Sequence, residues 1–264
     1  MGLLSQEGHV GIKTQASKGA YLDPGAAAPN NGVFFRTRSG ALGGDRELLI
    51  PDPEIGGNRD IPGAALGPIA FSGEYDFYAR MESIATLLAG VLGTVDSTTG
   101  SLPDPGTGYV HTILPGSTLP WLSIEEKITN AFETFAYTDA KVNTLHLEAD
   151  ADGYLMGTAG LIALTQATTT ATDPGGQTND TSPLIVGTNI VVDLGGTQLP
   201  AKSFSLDINN NLEDDDFRLG SLFLGDLTEK RREVMMSVTI RPEDADLWKQ
   251  ATWGSTGASA PEGQ

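Results

Sequence analysis

Ser203-Phe204-Ser205-Leu206-Asp207-Ile208-Asn209 alternates strictly between polar and apolar residues. Val234, Met236, Val238 and Ile240 repeat the period, interleaved with Met235, Ser237, Thr239 and Arg241. A side-chain period of two belongs to a strand with one dry face and one wet face. Asn209-Asn210-Asn211 and Glu213-Asp214-Asp215-Asp216 break the pattern, so Lys202 to Pro242 reads as two strands joined by a polar, acidic connection. An earlier stretch has the same plan, with Leu122, Ile124 and Ile128 ahead of Leu145, Leu147, Leu155 and Leu161-Ile162-Ala163-Leu164. Two sheet-forming modules and no catalytic set point to a chain built for assembly.

Working outward, 264 residues can bury a substantial core as one large β domain or two small ones. Gly 33 and Pro 15 favour many turns between short strands. The absence of cysteine excludes a disulfide framework and a thiolate metal site. A formal net charge of -18 opposes any grip on DNA through phosphate neutralisation. It suits a surface past which DNA moves without sticking, and it also suits plain solubility. The opening Met1–Glu7 lacks the leader of a signal peptide, and the longest apolar run, Ile84 to Leu92, is too short to span a bilayer. The chain is therefore expected to be made soluble in a cytoplasm, with no membrane partner.

Residues 1–70 are dense in Gly and Pro, and Pro51, Pro53 and Pro62 argue against a long regular element there. This segment is expected to lie extended along the domain or along a neighbour. Residues 71–242 carry the β domain. Within it the sequence predicts one helix over 76–92, with Phe77, Met81, Ile84, Leu88 and Val91 on one face and Gly93 ending it. Burying five such side chains is worth on the order of 10 kcal/mol before entropy, enough to clamp the helix onto a sheet. Residues 94–120 read as a turn-rich link holding a strand at Tyr109 to Leu114. The Thr-rich stretch 165–182 reads as an exposed loop, and Ile190 to Leu194 as a strand. Residues 243–264 read as a short helix followed by a tail.

Enzyme motifs are missing: there is no Walker A loop, nucleophile elbow or zinc helix, and His9, His111 and His146 are widely separated. No cofactor, metal or catalytic residue is expected. Glu148-Ala149-Asp150-Ala151-Asp152-Gly153 resembles a calcium loop in spacing, but its twelfth position is Ala159 rather than a bidentate Glu. Asp152-Gly153 between Leu147 and Leu155 is more simply a hairpin turn. Lys230-Arg231-Arg232 is either a hairpin tip with local ion pairs or a contact with an acidic patch on a neighbouring copy.

Several short motifs, taken in order, carry a resemblance. They are Gln6-Glu7-Gly8-His9-Val10-Gly11-Ile12-Lys13, Glu47-Leu48-Leu49-Ile50-Pro51, Ile55-Gly56-Gly57-Asn58-Arg59, Phe71-Ser72-Gly73-Glu74 and Ser203 to Asn210. Their succession resembles the tail-tube (major tail) proteins of long-tailed bacteriophages. The resemblance implies a mainly β fold: a β-sandwich or open barrel with one packed α-helix, and an extended N-terminal arm and loops. It implies a virion protein whose hexameric rings stack into a hollow tube around a tape-measure protein, bounded by tail terminator and distal tail proteins. DNA would leave through the lumen without specific binding. On that reading the polar alternates Ser123, Glu125, Lys127, Ser205, Asp207 and Asn209 are candidate lumen-facing residues, and Lys230, Arg231 and Arg232 candidate intersubunit contacts. Residues 1–70 become an arm and stacking loop, and loss of the first twenty is expected to leave a folded subunit. A carbohydrate- or receptor-binding β module of a virion, using Trp121, Trp248 and Trp253, is the competing expectation.

Overall fold

In the computed structural model, which describes residues 8–25, 32–52, 55, 63–81, 83–99, 109–127, 134–169, 179–194, 197–241 and 249, one strand organises the rest. This is β8 (Thr134–Asp150), seventeen residues long, which turns at Asp150–Tyr154 into β9 (Met156–Thr169). Leu145, Leu147 and Ala149 are buried, as the alternation requires. On its other side β8 has two partners in succession. β7 (Leu122–Lys127) pairs with its first half and β12 (Ala201–Asn209) with its second, so the sheet forks there. Beyond β7 come β1 (His9–Thr14) and β2 (Val33–Phe35); beyond β12 comes β13 (Glu233–Ile240). Beyond β9 lie β4 (Ala65–Tyr78) and then β3 (Thr37–Leu49). All pairings in this nine-stranded sheet are antiparallel.

The sheet is open, yet its ends are joined covalently. β2 lies at one end of the strand order and β3 at the other, and only Arg36 separates them. Two small hairpins, β5 (Gly93–Thr99) with β6 (Tyr109–Pro115) and β10 (Asp193–Leu194) with β11 (Thr197–Gln198), stand outside the sheet.

Helix α1 (Ser83–Leu92) packs on β8 across the dry face, where Leu87 and Val91 join the main core of Val10, Ile12, Phe71, Phe77, Tyr137, Leu161 and Ile208. Gly90 permits the close approach: a Cβ there would stand 2.8 Å from Val142 Cγ2. Gly93, at a φ of 109°, ends the helix as expected. The helix has no acid in its first turn and no base in its last. Its caps come from far along the chain. Asp180 Oδ2 accepts the Ser83 N–H at 3.0 Å, while Arg232 and Asn210 donate to the carbonyls of Leu92 and Val91 at 3.1 and 3.0 Å. A second apolar cluster (Ile162, Leu164, Leu212, Leu224, Leu227) lies under the 210–229 connection.

Four expectations need correction. The helix is shorter than 76–92, because Asp76–Tyr78 complete β4 and Phe77 is buried as a strand residue, leaving Met81 exposed. Apolar spacing of three and four across a strand end imitates a helix face. Residues 1–70 do hold long regular elements: β1 is built into the sheet between β2 and β7, and β3 is thirteen residues long. The prolines fall beyond β3, where they do not oppose it. Of the Thr-rich stretch, 165–169 extend β9 and Asp180 is buried; 170–178 lie outside the described residues. The 190–194 strand shrinks to Asp193–Leu194, and of the 243–253 helix only Lys249 is described.

Candidate functional site

The wet face of β13-β12-β8-β9-β4-β3 is laid out in rows by the registers. Met235, Asp207, His146, Thr158, Asp76 and Ser39 stand side by side across the six strands. A neighbouring row runs Glu233, Asn209, Thr144, Gly160, Glu74 and Ala41. The row on the other side carries Ser237, Ser205, Glu148, Met156 and Tyr78. Glu74, Asp76, Glu148, Asp207 and Glu233 thus share one face, against Arg38, which stacks on Tyr78 at 4.9 Å, and His146.

This face is internally bonded. Thr158 Oγ1 donates to Asp76 at 2.7 Å and Ser39 donates to its other oxygen, and these hydrogen bonds hold the Asp76 carboxyl below the usual range. His146 Nδ1 lies 2.6 Å from Asp207 Oδ1, and its Nε2 3.6 Å from Glu148 Oε2. Partial burial pushes the imidazole down, but the bonds and charges of Asp207 and Glu148 outweigh it and raise its pKa.

The sequence-predicted residues divide. Asp207 is exposed on this face, and Ser205 and Asn209 are half-buried beside it. Ser123, Glu125 and Lys127 do point away from the main core, but they are not wet: they are 0%, 1% and 8% exposed. The chain's own N-terminal residues cover Ser123 and Glu125. Leu22 N–H donates to Ser123 Oγ at 2.9 Å, and His9 Nε2 lies 3.1 Å from Glu125 Oε1. Alternation separated Ser123, Glu125 and Lys127 from the core side of β7, and burial by the chain itself made their side interior too. Of the basic cluster, Arg231 is exposed and Lys230 lies 3.6 Å from Glu213, whereas Arg232 is turned inward as the helix cap. Arg232 is thereby removed from the intersubunit candidates. Asp150–Gly153 forms the β8–β9 turn, with Gly153 N–H on the Asp150 carbonyl at 3.0 Å, and no metal-holding group of three His, Cys, Asp or Glu occurs among the described residues. Glu74, Asp76, His146 and Glu148 were missed. The alternation of Leu145 and Leu147 already placed His146 and Glu148 on the wet side, whereas reading Asp76 as a helix start hid β4.

Of the sheet's three terminal strands among the described residues, β2, β3 and β13, the last two bound the wet face. β13 pairs only with β12, and its Val234, Met235 and Met236 are 56%, 70% and 57% exposed. β3 pairs only with β4. Trp121, by contrast, is half-buried between Lys18 and Lys141, whose ammonium groups lie 5.1 and 4.0 Å from its ring.

The family model for phage tail tube proteins matches residues 5–259. This chain belongs to the phage tail tube protein family. A search of curated proteins finds no match. Among solved structures, the SPP1 tail tube, determined by combined solid-state NMR and cryo-EM, is similar over 70% of this chain and 99% of that one, at 10% identity and a TM-score of 0.41. As a phage tail tube protein the chain is a structural component of a bacteriophage virion, mostly β with an open sheet. In that setting the exposed sheet edges and the carboxylate rows become the surfaces of interest.

Proposed function

We propose that copies of this chain join edge to edge into closed rings, hexameric as in the proteins it resembles, which stack into a tail tube. The acidic six-stranded face then lines the channel through which DNA leaves, and a tape-measure protein occupies that channel during assembly. Tail terminator and distal tail proteins would close the two ends. One observation carries the reading. β3 and β13 are the free ends of six antiparallel strands, so they run in opposite directions. Copies related by rotation about an axis along the strands therefore bring β13 of one beside β3 of the next with the antiparallel alternation unbroken. Closure removes both edges, which would otherwise be a liability, and covers Val234 and Met236. Carboxylates facing a phosphate polymer repel it within the screening length of about 8 Å, so DNA slides rather than binds.

The test is negative-stain electron microscopy of the concentrated protein, alone and with its tape-measure protein, beside a light-scattering mass. Rings or hollow tubes are expected. Met236→Asp, on an already exposed position, should leave a folded monomer that forms neither. A wild-type protein that stays monomeric even with the tape-measure protein, or a Met236→Asp variant that assembles normally, would refute the reading.

A further inference from the structure

Along β3 the side chains are exposed or half-buried except at Leu42, which is 5% exposed. There the free edge is not free. Two side chains from β7 and β8 reach it: Glu126 Oε2 accepts the Leu42 N–H at 3.2 Å, and the Tyr137 hydroxyl donates to the Leu42 carbonyl at 2.7 Å. In an antiparallel strand the N–H and C=O of one residue point to the same side, so these are the two groups a further strand would use. Gln166 Nε2 donates to the Tyr137 hydroxyl at 2.9 Å and Glu126 lies 3.4 Å from it, so the pair is itself held.

Beside the N-terminal part of the same edge the situation is the reverse. A groove of about 670 Å³ runs along Thr37–Ala41, walled on its far side by Gly8, His9 and Val10 and bounded by Glu126 and Lys127. β13 lies at this level of the sheet, because Val234 aligns through Ile208, Leu145, Ala159 and Tyr75 with Gly40.

We propose that Glu126 and Tyr137 are a register stop: they close β3 at Leu42, so that β13 of a second copy pairs along Thr37–Ala41 and cannot slide toward Leu49. The identity of the partner strand rests on the ring reading above; the stop itself is a property of the single subunit. Its use is physical. The Gly43-Gly44 stretch offers few side chains to specify register, and a slip would misalign the wet-face rows of adjoining copies.

The chain has no cysteine, so engineered disulfides report register without background. Met235→Cys in one tagged copy is mixed with a second copy carrying Ser39→Cys, Ala41→Cys, Gly43→Cys or Asp45→Cys, all wet-face positions. Bridges to positions 39 or 41 alone are expected in the parent protein, spreading to 43 and 45 when Tyr137→Phe or Glu126→Leu is added. Glu126→Gln, which keeps an acceptor, should not spread them. Equal bridging at all four positions in the parent, or an unchanged pattern in a folded Tyr137→Phe variant, overturns the stop. Hydrogen exchange on the separate subunit gives a second reading: Leu42 is protected at least tenfold over Gly40 and Gly44, and Glu126→Leu, which removes the acceptor of its N–H, removes that protection. If no bridges and no rings form, the ring reading fails, and exchange alone then decides whether Leu42 is closed. Equal exchange at Gly40, Leu42 and Gly44 overturns the stop in either case.

Discussion

Replacing Asp180 by Ala removes the N-terminal cap of a helix from 97 residues away. The carboxylate is 6% exposed and serves two backbone donors, Ser83 N–H at 3.0 Å and Ser182 N–H at 2.7 Å. Loss of a helix cap costs about 1 kcal/mol. Ser83 is itself buried, so its N–H gains no water in exchange, which adds roughly 1–2 kcal/mol of unmet desolvation. The expected loss is about 2–3 kcal/mol, or roughly 5–10 °C in Tm for a domain of this size. Asp180→Asn keeps one acceptor oxygen and should lose about half as much. Burial pushes the Asp180 carboxyl up, but the hydrogen bonds from Ser182 and Ser83 outweigh it and hold it below the usual range. The native state then binds fewer protons than the unfolded chain, so this stability is present above the ordinary carboxylate value and lost as pH falls through the lowered one. Thermal unfolding followed by circular dichroism at pH 7 and at pH 2 to 3 measures the gap. A difference under about 0.5 kcal/mol at pH 7, or one undiminished in acid, would show that the helix does not depend on this cap.

Glu126 works in the opposite sense. Burial pushes its carboxyl up against the hydrogen bonds of Leu42 and Tyr137, so stability falls as pH rises from the ordinary value through the raised one. Glu126→Gln should therefore raise Tm by roughly 2–4 °C at pH 7 and match the parent below pH 4, and a lower Tm at pH 7 would contradict this. His146 has a raised pKa, so the pairing with Asp207 and Glu148 stabilises fully below its ordinary value and is lost as pH rises through the raised one. An NMR titration should show its midpoint falling in Asp207→Asn, and an unmoved midpoint would deny the pairing. Deleting residues 1–14 removes β1 and the burial of Val10 and Ile12, each worth about 1.5–3 kcal/mol, and uncovers β7. The truncated chain is expected to lose its cooperative unfolding transition, and a native-like melt would restore the view of this segment as a detachable arm. Asp76→Lys with Asp207→Lys should slow DNA ejection from tails of normal length, and normal ejection would remove these rows from the channel.

The period of two in β12 and around Leu145 and Leu147 was legible because one face of each strand is dry and the pattern is local. Helix α1 was legible only from Ser83 onward. Phe77 is apolar for the sake of the sheet, and nothing in the local spacing separates that from a helix face. Ser123, Glu125 and Lys127 show the deeper limit. Polar alternates on a strand say which way a side chain points, not whether Leu22 and Gln15 will later lie over it. The same holds for Arg232, which in sequence is one of three adjacent cations and in space belongs to a helix terminus 140 residues earlier. The acidic rows could not be read from any one segment, since each of their members comes from a different strand.

The remote capping of α1 has a consequence for synthesis. The helix sequence is complete by Leu92, but its first cap arrives with Asp180 and its last with Arg232, 97 and 140 residues after the groups they serve. At about 5–20 residues per second, the ribosome adds the latter stretch in on the order of ten to thirty seconds. For that interval the nascent helix has open ends, and β12 has not yet received β13, its outer partner. A chain released early, before Arg232, therefore lacks both the final cap and the edge that would meet a neighbour. On the ring reading, such a chain could neither seal its helix nor offer β13 to the next copy.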